Sequence, residues 1–80
     1  MQQLVTTPAQ LGEILRGRRK ARGIPQRELA EKLGVSQNRL SALETSPEKL
    51  TLDRLITAVN LLGLELVVRD RTSKPTSPEW

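Results

Sequence analysis

The chain has 80 residues, neither cysteine nor histidine, and 13 Lys/Arg against 9 Asp/Glu, which gives a net charge of +4 and a pI near 10.4. That length holds one small domain with no disulfide or Cys/His metal site to reinforce it, so stability must come from helix packing and dimerisation. The charge favours an anionic partner, while general acid–base and metal chemistry lack candidates: there is no His or Cys, no plausible pair of acids and no Gly-rich phosphate loop.

No run approaches the ~18 apolar residues of a membrane span, and no signal-peptide pattern opens the chain. The expectation is a cytoplasmic protein that needs no cofactor or metal and has no membrane partner. Residues 1–6 form a short arm in which Gln3, Leu4 and Val5 carry a weak edge-strand signal. Thr7-Pro8-Ala9-Gln10 then reads as a helix start: Thr7 caps, Pro8 suits the first turn and Gln10 completes a capping box. Leu11, Ile14 and Leu15 give the first helix an apolar stripe, and Gly23 ends it. Arg16, Arg18, Arg19, Lys20, Arg22 and Arg27 fall within twelve residues without an intervening acid. A charge run alone is ordinarily a solvated helix face. Beside the glycine-linked helical patterns of residues 26–44 it suggests phosphate contact, above all at Arg16, Arg22 and Arg27.

Pro25 precedes the second helix where a Ser or Thr cap would be expected, a loss of about 1 kcal/mol that is partly offset if the ring fixes the first-turn φ. In Gln26–Glu44, QRELAEKLGVSQNRLSALE, two short helical patterns meet at a glycine. Leu29, Ala30 and Leu33 share one face of the first, and Gly34 can end that helix without strain. Ser36 is an N-cap for the next, whose Leu40 and Leu43 face inward with Val35 beneath. This is a helix-turn-helix pattern, in which the second helix can enter a DNA major groove. Gln37, Asn38, Arg39, Ser41 and Ala42 are left facing outward. Gln and Asn can bind adenine through two hydrogen bonds, Ser can donate or accept, and Arg39 on the flank suits a phosphate.

The third helix ends near Thr45, and Ser46-Pro47-Glu48 reads as a turn. Thr51 caps a fourth helix with Leu52, Leu55, Ile56, Val59 and Leu62 on one face and Gly63 at its stop. From Leu64 to Arg69 the pattern becomes strand-like, Leu64, Leu66 and Val68 alternating with Glu65, Val67 and Arg69. A single strand needs a partner for its backbone, either the N-terminal arm or its counterpart in a second subunit. Residues 70–80 are polar with two prolines, a composition expected to be disordered, and they end in Trp80, the one aromatic residue of the chain. A polar tail closed by a large ring and a carboxylate, with Glu79 beside it, suits capture in a partner's pocket.

Gln26-Arg27-Glu28-Leu29-Ala30, Gly34-Val35-Ser36-Gln37 and Leu43-Glu44 together resemble the phage-repressor-like (Cro/C1, or XRE) helix-turn-helix family over about Leu11 to Gly63. The resemblance implies an all-α fold of four to five helices, a phosphate contact at Gln26, and base reading from Ser36, Gln37, Asn38, Ser41 and Ala42. It also implies an ion pair between Arg19 and Glu44, joining the first and third helices. Pro25 departs from the family pattern. Outside the domain of residues 7–63, the arm, the Leu-Glu-Leu strand after the fourth helix and the tail ending in Glu79-Trp80 look like the HipB antitoxins. That narrower resemblance implies a dimeric autorepressor of a toxin–antitoxin operon, with residues 64–69 pairing across the dimer, and with a palindromic operator and a HipA-type serine/threonine kinase toxin as partners. Two other readings compete. A stand-alone phage-like or metabolic repressor would leave Trp80 idle, and a bridging factor that binds protein would show no operator preference.

Overall fold

The computed structural model describes residues 2–71. Four α-helices, α1 (Pro8–Ala21), α2 (Gln26–Leu33), α3 (Gln37–Thr45) and α4 (Leu52–Leu61), follow one another, with a 3-10 turn at Pro47–Lys49 between the last two. Local chemistry sets their starts. The Thr7 hydroxyl accepts from Gln10 N at 3.2 Å, while Gln10 Oε1 accepts from the backbone N–H of Thr7 at 3.2 Å and of Thr6 at 2.6 Å, a closed capping box. Ser36 and Thr51 cap α3 and α4 by accepting from Arg39 N and Arg54 N. Pro25 occupies the N-cap of α2 without a side-chain cap bond; its carbonyl still accepts from Glu28 N and Leu29 N.

Three of the helices end by one device. Gly23, Gly34 and Gly63 adopt φ of 69°, 75° and 73°, and the next residue returns its N–H to a carbonyl five positions back: Ile24 to Arg19, Val35 to Ala30, Leu64 to Val59. Each of these following residues is apolar and packs on the core. Leu29, Ala30, Leu33, Leu40 and Ala58 form one buried cluster, and Leu15, Val59 and Leu62 the other, with Ile24 touching both. The carbonyl ends of α2 and α4 are also tied by arginines from elsewhere in the chain. Arg54 Nε donates to Leu33 O at 3.1 Å, and both Arg18 Nε and Arg22 Nη1 donate to Leu62 O at 3.1 Å. Since α4 carries no cation in its own last turn, α1 supplies the positive charge its carbonyl end favours.

Leu52 and Ile56 do not join Val59 and Leu62 in the core but stay exposed, so the apolar stripe of α4 is shared between the core and an outer face. Residues 64–71 form no strand within the described chain, and the arm does not pair with them. Leu64 belongs to the end of α4: its N–H bonds Val59 O and its side chain packs on the core, because the glycine turn carries it inward. Leu66 and Val68 leave that core and are 53% and 95% exposed. Among the described residues no helix is long and apolar enough to cross a membrane.

At Gly12, α1 lies tight against the end of α3 and the turn after it. A Cβ on Gly12 would collide with the carbonyl oxygen of Glu44 and press on the Pro47 ring, whereas nothing lies within 4 Å of a Cβ on Gly17. Gly12→Ala should therefore cost about 1–3 kcal/mol by overpacking. Gly17→Ala should add close to 1 kcal/mol through helix propensity. Urea denaturation of the two variants measures both, and shifts of the same sign would contradict this packing.

Candidate nucleic-acid interface

The site is built on a buried ion pair. Arg19 comes from the inner face of α1 and Glu44 from the last turn of α3, and they are 6% and 8% exposed. Arg19 Nε donates to Glu44 Oε2 at 2.7 Å and Arg19 Nη2 to Oε1 at 3.2 Å, a two-pronged arrangement that only a planar guanidinium provides. The remaining fork of Arg19 donates to Ile24 O at 2.9 Å and ties down the turn into α2. Gln26, the first residue of α2, donates from Nε2 to Glu44 Oε1 at 3.0 Å. One carboxylate thus holds three helices in register.

Above this pair lies an open polar cleft. Arg16 and Lys20 border it from α1, Gln26 from α2, and Gln37, Ser41 and Thr45 from α3. Spacing explains the set. Arg16 and Lys20 are four residues apart, as are Gln37 and Ser41, so each pair shares a helix face. The cleft has the chemistry that a polyanion presenting base edges needs: cations on one wall, an amide at the mouth, and an amide and a hydroxyl on the helix that would face the bases. Among the described residues no group of acids, histidines or cysteines could hold a metal ion.

Of the residues singled out in the sequence, Arg16, Gln26, Gln37 and Ser41 come together here. Asn38, Arg39 and Ala42 are exposed along α3, and Arg27 is exposed on α2, outside the walls of the cleft. The Ser36 hydroxyl is engaged in capping α3. Arg22 lies elsewhere, bonded to Leu62 O, because residues two apart on a helix point in nearly opposite directions, so that Arg18 and Arg22 leave the face of Arg16 and Lys20. The basic run is therefore two patches. Lys20, part of the basic run but not among its expected phosphate contacts, is a cleft residue, and its four-residue spacing from Arg16 is the signal that marks it. Glu79 and Trp80 lie outside the described residues.

Apolar side chains are also exposed. Leu52 and Ile56 on α4, with Leu66, Val67 and Val68 beyond it, expose large side chains on a chain whose core is small.

The chain is similar to several known proteins. A family profile described as helix-turn-helix matches residues 15–68. Antitoxin HipB of Escherichia coli (strain K12) is 32% identical over 77 residues, covering 96% of this chain and 85% of the relative. Antitoxin HipB of an Escherichia coli O6:H1 strain is 31% identical over 77 residues, covering 96% of this chain and 80% of the relative. Among solved structures, a chain described as part of a HipA-HipB-O2-O3 complex superposes with a TM-score of 0.75 at 30% identity, covering 86% of this chain and 97% of that one.

Proposed function

Because the chain belongs to the helix-turn-helix family, as an XRE-type member of the HipB-like antitoxins, we propose that it represses its own operon by binding operator DNA and is the antitoxin of a HipA-type kinase toxin. The observation that carries the DNA half is the cleft in which Arg16, Lys20, Gln26, Gln37 and Ser41 surround the Arg19–Glu44 pair. Phosphates meet Arg16, Lys20 and Gln26, with Arg27 and Arg39 on the flanks; α3 presents Gln37, Asn38, Ser41 and Ala42 to base edges. The working unit is a homodimer that covers Leu52, Ile56, Leu66, Val67 and Val68, and paired α3 helices impose a palindromic site with half-sites about one helical turn, or a multiple of it, apart. It works in the cytoplasm as a binding protein rather than an enzyme.

An electrophoretic shift with the promoter DNA upstream of its gene tests the first half, and co-purification with a neighbouring kinase tests the second. A bridging factor would not distinguish promoter from scrambled DNA; a stand-alone repressor would bind its promoter and no kinase. Gln37→Ala or Asn38→Ala should cost on the order of 1–3 kcal/mol of operator affinity and relax preference at one base pair. Undiminished discrimination by the Gln37 variant would mean that α3 is not the reader. For the kinase, Glu79 and Trp80 are the proposed anchor. Tryptophan is the side chain most enriched at interface hot spots, and Trp80→Ala should weaken kinase binding by about 2 kcal/mol while operator affinity stays intact. As the only tryptophan, Trp80 should shift its fluorescence to the blue when kinase is added; an unshifted spectrum at saturation would mean that the ring stays in water.

A further inference from the structure

Glu44 has one partner more than its ion pair requires. Besides its two bonds from Arg19, its Oε1 accepts from Gln26 Nε2 at 3.0 Å. A carboxylate only accepts, so it can hold the Gln26 amide in one orientation alone, nitrogen inward and oxygen away. One amide N–H is used in this way, and the second remains for a ligand in the cleft that Gln26 borders with Arg16 and Lys20. We infer that Glu44 is a positioning residue for phosphate binding: it presets the Gln26 amide before DNA arrives, while Arg19 neutralises the carboxylate so that it does not repel the phosphate. This rests on the DNA-binding function proposed above. A glutamine ordered in advance does not lose its rotamer freedom on binding, so that loss falls on folding instead of on affinity.

The two roles open to Glu44 predict effects of opposite sign. A buried negative charge with no positioning role weakens attraction to DNA, and Glu44→Gln would then tighten binding. A positioning role makes the same replacement weaken it, because an amide in that place no longer dictates how Gln26 is turned. Fluorescence anisotropy with the labelled promoter of the gene measures the full-length dimer, Glu44→Gln, Gln26→Met and the double variant, each confirmed as folded by urea denaturation. Glu44→Gln should weaken promoter binding about three- to tenfold, roughly one lost hydrogen bond. In the Gln26→Met background it should weaken nothing further. For Gln26→Met the dependence on salt should stay the same, since Gln26 carries no charge and releases no counterion. Tighter binding by Glu44→Gln, or an equal loss with and without Gln26, would overturn the inference. If Glu44→Gln does not fold, side-chain 15N relaxation of the unmodified free protein decides. Gln26 should be ordered while the exposed Gln37 amide is mobile, and equal mobility would overturn the inference. A protein that binds neither promoter nor scrambled DNA would instead overturn the proposed function, whatever the order of Gln26.

Discussion

Arg19→Ala should destabilise the fold by about 3–5 kcal/mol, because it leaves a buried carboxylate with no charge partner. For a domain whose whole stability is of the order of 5–15 kcal/mol, that is a large fraction. The loss has three parts. Glu44 keeps its burial and loses both donors of the fork, Ile24 O loses the donor that ties α1 to the turn before α2, and Gln26 keeps a partner whose own position has loosened. Arg19→Lys retains the charge but not the planar fork, and it should fall between the parent and Arg19→Ala. Replacing Arg19 by Met and Glu44 by Leu together should recover much of the stability, since apolar side chains of similar volume can substitute for a buried pair. It should not recover operator affinity if Glu44 sets Gln26. Urea denaturation checks the ordering of these variants. A cost below 1 kcal/mol for Arg19→Ala would mean that the pair behaves as a surface salt bridge, against its burial.

The elements were legible in the sequence because their ends are written locally. Thr7 with Gln10, Ser36, Thr51 and the glycines at 23, 34 and 63 each act within a few residues of their own position, and the structure uses each of them where the pattern places it. What the sequence did not show depends on contacts distant along the chain. Arg18 and Arg22 reach Leu62 O, and Arg54 reaches Leu33 O; long flexible side chains find carbonyls that no local periodicity identifies. Gly12 looks like an ordinary helix residue until α3 lies against it. The α4 stripe shows that the helix is amphipathic but not that Leu52 and Ile56 lie past the edge of the single-chain core. In the cleft the polar residues of α3 were readable as outward-facing. Their meeting with Arg16 and Lys20 depends on how α1 is rolled against α3, and the Arg19–Glu44 pair fixes that roll.

The largest effect on function is expected from a proline at Leu66 or Val67. Within one chain it should cost little: no described backbone hydrogen bond involves residues 65–71, and neither side chain belongs to the buried core. The helical signal by circular dichroism should therefore be kept. In the dimer the same segment is proposed to pair with its two-fold copy, where a missing N–H and the ring both oppose the ladder. Adjacent residues of a strand point their N–H groups to opposite sides, so one of the two prolines should remove a donor from the ladder and the other should not. The more damaging position then reveals the register. Loss of pairing uncovers Leu52 and Ile56 as well, and the variant should sediment as a monomer. Operator affinity should fall with it by ~100-fold or more, because a lone α3 engages one half-site and the gain from linking two is lost. If both proline variants sediment as dimers with unchanged operator binding, the strand is not the dimer element, and the exposed face of α4 must form the dimer alone.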